Sequence, residues 1–224
     1  MVSTRGAAVT SMLLVVGVLT VACASSDDTT GTTSPPSTVS PVTSAPTASA
    51  APEAEEQVLF DFSDPLAVAD WRNQDDVVMG GLSQSTGRAD DGALVFAGTI
   101  SLENDGGFAS ILSSDDPELG RLADGASALQ VHARGDGKTY VAQVRTAGRP
   151  YTYIQRFTTG SGIDEVIDLP VADFEPVTFM LTPAVDAPPT LDPASITQFG
   201  FYILDKQDGP FELRINRIVA ASNP

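Results

Sequence analysis

From Val58 onward the chain breaks into short apolar runs separated by glycine, proline, asparagine and aspartate, and none of these runs repeats with a helical period. The runs occupy 58–62, 92–96, 107–112, 129–134, 140–145, 153–157, 166–169, 178–181, 199–204 and 211–219. They are rich in Val, Ile, Phe and Tyr, and several alternate apolar with polar residues. That pattern buries one face of a strand, whereas a helix needs apolar residues spaced by three and four over ten or more positions. Many short strands with turns between them predict an all-β chain, a β-sandwich or jelly roll. A short helix is expected near 117–122 or 192–195. Gly135-Asp136-Gly137 reads as the turn of a hairpin joining 129–134 to 140–145, and Asp208-Gly209-Pro210 as the turn of a final hairpin. Alternation then places His132 and Arg134 on one face with Gln143 and Arg145 across the hairpin. Those four side chains either face solvent or form a ligand surface.

The amino-terminal end obeys different rules. Arg5 precedes an apolar stretch over 7–22 that ends at Cys23. This is the charged start and apolar middle of a secretory signal, and it is shorter than the roughly 20 apolar residues of a membrane-spanning helix. Leu19-Thr20-Val21-Ala22-Cys23 resembles a lipoprotein signal-peptidase box, with the small Ala22 before the cysteine and Leu19 one place early. The resemblance implies a diacylglycerol on Cys23, whose acyl chains would anchor the exported protein at the membrane. It would then sit on the outer face of the cytoplasmic membrane, or on the periplasmic side in a two-membrane cell. The alternative is an ordinary signal peptide with an incidental cysteine. Residues 1–23 are therefore assigned to the signal. Residues 24–57 are dominated by Ser, Thr, Pro and Ala, which bury too little apolar surface to offset the entropy of ordering, so they form a disordered tether. The folded domain is assigned to 58–221.

Composition excludes several function classes. Twelve Lys and Arg stand against 29 Asp and Glu, a net charge of −17, which repels nucleic acid. With one cysteine and one histidine, an intramolecular disulfide and a Cys/His zinc site are both excluded. No nucleophile elbow or phosphate loop is present. The 42% apolar content suffices for a packed core.

Trp71-Arg72-Asn73-Gln74-Asp75-Asp76-Val77-Val78-Met79-Gly80-Gly81-Leu82-Ser83 is the most distinctive stretch. It resembles the opening signature of the complex I intermediate-associated protein 30 family: a tryptophan, then Asp-x-Val-Met-Gly-Gly-x-Ser. The stretch from Phe96 through Asn104-Asp105-Gly106-Gly107-Phe108-Ala109-Ser110 is similar to the same family. So are Asp168-Leu169-Pro170 with Asp173-Phe174, and Gly200-Phe201 through Gly209-Pro210-Phe211. Where the family often continues with a hydrophobic residue and arginine, this chain has Ile111 and Leu112. The resemblance implies a galactose-binding-domain-like jelly roll and a non-catalytic role, because mitochondrial relatives assist assembly of respiratory complex I.

The signature also has a physical reading. The glycine pairs permit tight turns, Asp75 and Asp76 cap turns, and Trp71, Met79 and Phe108 are expected in the core. The competing reading gathers Asp75, Asp76, Ser83, Glu103 and Asn104 around one ligand site. For a sugar, Tyr140, Tyr151, Tyr153 and Gln155 supply platform and amide chemistry. A structural Ca²⁺ is a further expectation, with Asp61, Asp64, Glu103, Asn104 and Asp105 as oxygen donors. No other cofactor is expected. The sequence thus points to a non-catalytic, membrane-anchored extracytoplasmic protein that binds a glycan or protein partner of the envelope. The alternative is an assembly or scaffolding factor for a membrane complex.

Overall fold

The computed structural model describes residues 56–179 and 181–222. Cys23, the signal and nearly all of the tether lie outside the described residues. Among the described residues, twelve strands form two sheets. They are β1 (Glu56–Asp61), β2 (Arg72–Asp75), β3 (Gln84–Asp90), β4 (Ala93–Ile100), β5 (Ala109–Leu112), β6 (Ala128–Arg134), β7 (Thr139–Thr146), β8 (Thr152–Thr158), β9 (Asp164–Pro170), β10 (Glu175–Val177), β11 (Ile196–Ile203) and β12 (Gly209–Ala221). A single α-helical turn, α1 (Glu118–Ala123), follows β5, within a residue of the expected 117–122.

The first sheet has the order β3-β4-β12-β6-β9, with β1 also paired to β12. The second has the order β10-β8-β7-β11-β5-β2. All pairings between strands are antiparallel. The long β12 is the spine of the first sheet: its first half pairs with β4, its second half with β1, and β6 runs along its other edge. The core lies between the sheets. Leu94, Phe96, Leu129, Val131, Leu213 and Ile215 come from the first sheet, and Tyr140, Ala142, Val144, Phe199, Phe201 and Ile203 from the second. Each set occupies alternate positions, as strand geometry requires. Trp71 is 5% exposed, stacks on Phe201, and meets Phe60 and Phe62 edge-on.

Both expected hairpins are corrected. β6 belongs to the first sheet and β7 to the second, and β11 and β12 are divided in the same way. The reason lies in the inward faces. Leu129, Val131 and Ala133 pack in the same core as Tyr140, Ala142 and Val144, as facing layers rather than as neighbours on one sheet. The Gly135-Asp136-Gly137 turn therefore crosses between layers. Its Asp136 accepts from the Lys138 backbone N–H, the Tyr140 hydroxyl and the Glu212 backbone N–H, which pins the crossing to the start of β12. A two-residue hairpin does occur at Asp91-Gly92, between β3 and β4, with both residues in the left-handed region (φ 47° and 69°). In the run 178–181, expected as a strand, the described residues Thr178, Phe179 and Leu181 are not strand, and Leu181 has φ 56°.

A groove on the outer face of the second sheet

Because Tyr140, Ala142 and Val144 point inward, β7 turns Val141, Gln143 and Arg145 outward. On neighbouring β8 the outward set is Thr152, Ile154 and Arg156, and on β11 it is Gly200 and Tyr202. Turns rise around this face from several directions. They bring Val78 and Met79 from the turn after β2, Phe108 from the loop before β5, Phe179 and Leu181 from the segment after β10, and Asp205 and Lys206 from the turn after β11. The enclosed groove has a volume of about 860 Å³, the size of a ligand site.

Its floor is polar in a specific way. Gln143 is 4% exposed, and its Nε2 donates to Thr152 Oγ1 at 2.9 Å. Its Oε1 is buried and has no hydrogen-bond partner. A buried unpaired amide oxygen is costly, so the groove floor carries unsatisfied accepting capacity at Gln143. Beside it stands Tyr202, whose phenol burial pushes up, with Ser110 and Gln143 as hydrogen-bonding neighbours. Phe108, Met79 and Phe179 supply apolar surface, and the last two are 61% and 76% exposed.

The family signature builds one wall of this groove. Asp76 is buried in the turn after β2. Its carboxylate accepts from the Ser83 backbone N–H at 2.9 Å, the Ser83 hydroxyl at 2.5 Å, the Gly107 N–H at 2.6 Å and the Phe108 N–H at 3.2 Å. Burial pushes its pKa up, but these four donors outweigh burial and hold the carboxyl below its ordinary value. Two glycines make room for it. A Cβ on Gly81 would sit 2.4 Å from Asp76 Cγ, and one on Gly106 would sit 2.7 Å from Asp76 Oδ2. Asp75 is used similarly, accepting from the backbone and hydroxyl of Ser85 at 2.8 and 2.5 Å. Asp75, Asp76 and Ser83 are thus structural, and they position Met79 and Phe108.

The other expected site residues disperse. Glu103 and Asn104 are exposed on the preceding turn, with Asn104 and Asp105 both left-handed. His132 and Arg134 lie on the outer face of the first sheet, so they never meet Gln143 and Arg145. There His132 faces Arg217 and Val166, and Arg134 lies 4.0 Å from Asp164. Tyr140 and Tyr153 point into the core, with hydroxyls donated to Asp136 and to the Pro188 carbonyl. Tyr151 packs edge-on against Tyr153, and Gln155 shares the inward register of β8. Met79 and Phe108, expected in the core, line the groove instead. Asp61 and Asp64 accept backbone N–H groups of Ser63 and Leu66. Among the described residues, no cluster of three or more acidic, histidine or cysteine side chains is placed to hold a metal ion, so Asp61, Asp64 and Asp105 are not brought together.

Tyr202, Gln74, Arg149 and Phe179 were missed. For Tyr202 the signal was available: in Phe199-Gly200-Phe201-Tyr202-Ile203, two inward phenylalanines leave the tyrosine facing out. Nothing in the sequence pattern marks Phe179, which reaches the groove from a turn.

The model of the complex I intermediate-associated protein 30 family matches residues 60–215. No curated protein matches the chain at the sequence level. Among solved structures, the chain is similar to a family 11 carbohydrate-binding module from Clostridium thermocellum in complex with a β-1,3-1,4-mixed-linked tetrasaccharide. Identity is 18% and the TM-score 0.54, over 75% of this chain and 96% of the module. The family 11 module of the cellulosomal cellulase Lic26A-Cel5E of the same organism is similar at 16% identity and TM-score 0.55, over 76% and 96%. An agarase, AgWH50C, matches at 11% identity and TM-score 0.50, over 75% of this chain and 25% of that enzyme. At these identities the likeness is one of fold, a jelly-roll β-sandwich.

Proposed function

The chain belongs to the complex I intermediate-associated protein 30 family, and from that premise we propose that its β-sandwich is a non-catalytic glycan-binding domain, exported and held at the membrane through Cys23. The observation that carries this reading is the floor of the outer-face groove. A buried Gln143 offers an unpaired carbonyl next to a tyrosine, Tyr202, beneath exposed apolar side chains. Sugars present hydroxyl donors on one edge and C–H surface on the other, and this combination suits both. The likeness in fold to family 11 carbohydrate-binding modules, one of them in complex with a tetrasaccharide, adds support. The groove chemistry argues against hydrolysis. Glycoside cleavage uses two carboxyl groups about 5–10 Å apart, whereas the described lining holds one, Asp205, which Arg156 engages through Nε at 3.0 Å and Nη2 at 3.2 Å.

Exposed apolar Val78 and Met79, together with Phe179, favour a second reading, an assembly or scaffolding factor that docks a protein on this face. Titration of the protein with a panel of soluble envelope polysaccharides separates the two. Binding of a defined glycan, weakened at least about tenfold by Gln143→Leu through loss of a buried polar contact, supports the first. No binding across the panel, with crosslinking from Phe179 to one membrane complex, overturns it. The anchor is tested separately: Cys23→Ala should abolish lipidation and release the protein, and unchanged membrane attachment would refute it.

A further inference from the structure

The groove carries charge of the opposite sign to the protein. The chain has 29 acidic and 12 basic residues, yet Arg145, Arg149 and Lys206 line the groove against the single acid Asp205. That acid is already paired with Arg156. Arg145, Arg149 and Lys206 make no ion pair among the described residues, and neither do Arg72, Lys138 and Arg217 elsewhere, whereas Arg88, Arg121, Arg134, Arg156 and Arg214 do; three of the six unpaired cations thus meet in this one groove. Unpaired cations concentrated in a concave site on an acidic domain focus a local positive field.

Two of the three stand on built turns. Lys206 follows Asp205, both left-handed at φ 59° and 64°. The turn is locked by Gln207, whose amide donates to the Leu204 and Thr139 carbonyls at 2.8 and 2.6 Å and accepts the Thr139 N–H at 2.9 Å. Arg149 follows a left-handed Gly148, and its N–H donates to the Thr146 carbonyl. The third, Arg145, projects from the β7 strand beside Tyr202. Their charges are therefore presented by backbone held in place, with the guanidinium forks free for an oxyanion.

We propose that the ligand of this groove is an anionic glycan, a sugar chain bearing carboxylate or phosphate groups, with Arg145, Arg149 and Lys206 as the determinants of that specificity. This rests on the glycan-binding reading above. Tyr202, Gln143 and the apolar rim contact the sugar ring, and the three cations read its charge. A neutral glycan would leave those cations without a partner.

The test uses the full chain and paired probes: oligogalacturonate against its methyl ester, and phosphorylated against unmodified mannan, followed by calorimetric titration. The charged member of at least one pair should bind about tenfold or more tightly than its neutral partner, and the gap should narrow as salt rises from about 50 to about 500 mM. Preference within the uronate pair identifies a carboxylate ligand, and preference within the mannan pair a phosphate ligand. The double variant Arg145→Gln with Arg149→Gln should erase the preference while keeping the native melting temperature. Equal binding of charged and neutral members overturns the anionic specificity and leaves glycan binding standing. Binding of none of the four, together with failure of the wider polysaccharide panel, overturns the glycan reading itself. If the double variant does not fold, Lys206→Gln, on an exposed turn, carries the same comparison.

Discussion

The carboxylate of Asp76 lies 2.6 Å from the backbone nitrogen of Gly107, a residue 31 positions further along the chain. With Ser83 and Phe108 as its other donors, Asp76 ties the turn after β2 to the loop before β5. Asp76→Ala would leave buried N–H groups unpaired, and it should cost on the order of 3 kcal/mol. Urea denaturation measures this. A loss under about 1 kcal/mol would mean water replaces the carboxylate with little penalty.

Gly81→Ala should cost about 2 kcal/mol by overpacking, since its Cβ would meet Asp76 Cγ at 2.4 Å. The penalty depends on the aspartate being there. In a double-mutant cycle the glycine substitution should therefore be much cheaper in the Asp76→Ala background. Additive effects would show that Gly81 is required for some other reason.

Trp71→Ala should destabilise the domain by about 3–5 kcal/mol, because the indole is buried against Phe60, Phe62 and Phe201. As the chain has one tryptophan, its emission reports this site alone, and it should be blue-shifted in the native state. Phe179→Ala, at an exposed rim, should leave stability within about 0.5 kcal/mol of the parent while weakening ligand binding. Loss of stability equal to that of Trp71→Ala would place Phe179 in the core.

What was legible in the sequence was the layer, and what was not was the partner across it. Alternation placed Leu129, Val131, Tyr140, Ala142 and Val144 inward correctly. It could not tell a hairpin from a crossing between sheets, because both put apolar residues at every second position. The family signature likewise revealed Asp75, Asp76 and Ser83 as important. Whether a carboxylate faces a ligand or its own backbone depends on residues 31 and 32 positions away, Gly107 and Phe108, and no local pattern encodes that choice. Met79, expected in the core, lines the groove instead, beside Val78, on the short turn that begins at the buried Asp76.

His132 gives the fold a measurable dependence on acid. Burial, and then the charge of Arg217 across the strand pair, push its pKa below the ordinary 6.5, with Glu56 opposing in part. The folded domain thus favours the neutral imidazole, and its Nε2 is buried without a hydrogen-bond partner. In the unfolded chain the same side chain takes up its proton at higher pH. A depressed folded pKa contributes stability that is complete above the unfolded value and is lost as pH falls through the folded one. Between about pH 7 and about pH 5, where most carboxylates remain ionised, melting temperature should fall with pH. His132→Gln, neutral throughout, should flatten that fall. Because the chain has a single histidine, its ring-proton resonance titrates without overlap. A midpoint at or above 6.5, or an unchanged pH profile in the glutamine variant, would show that the fold does not disfavour the protonated imidazole and that acid acts elsewhere.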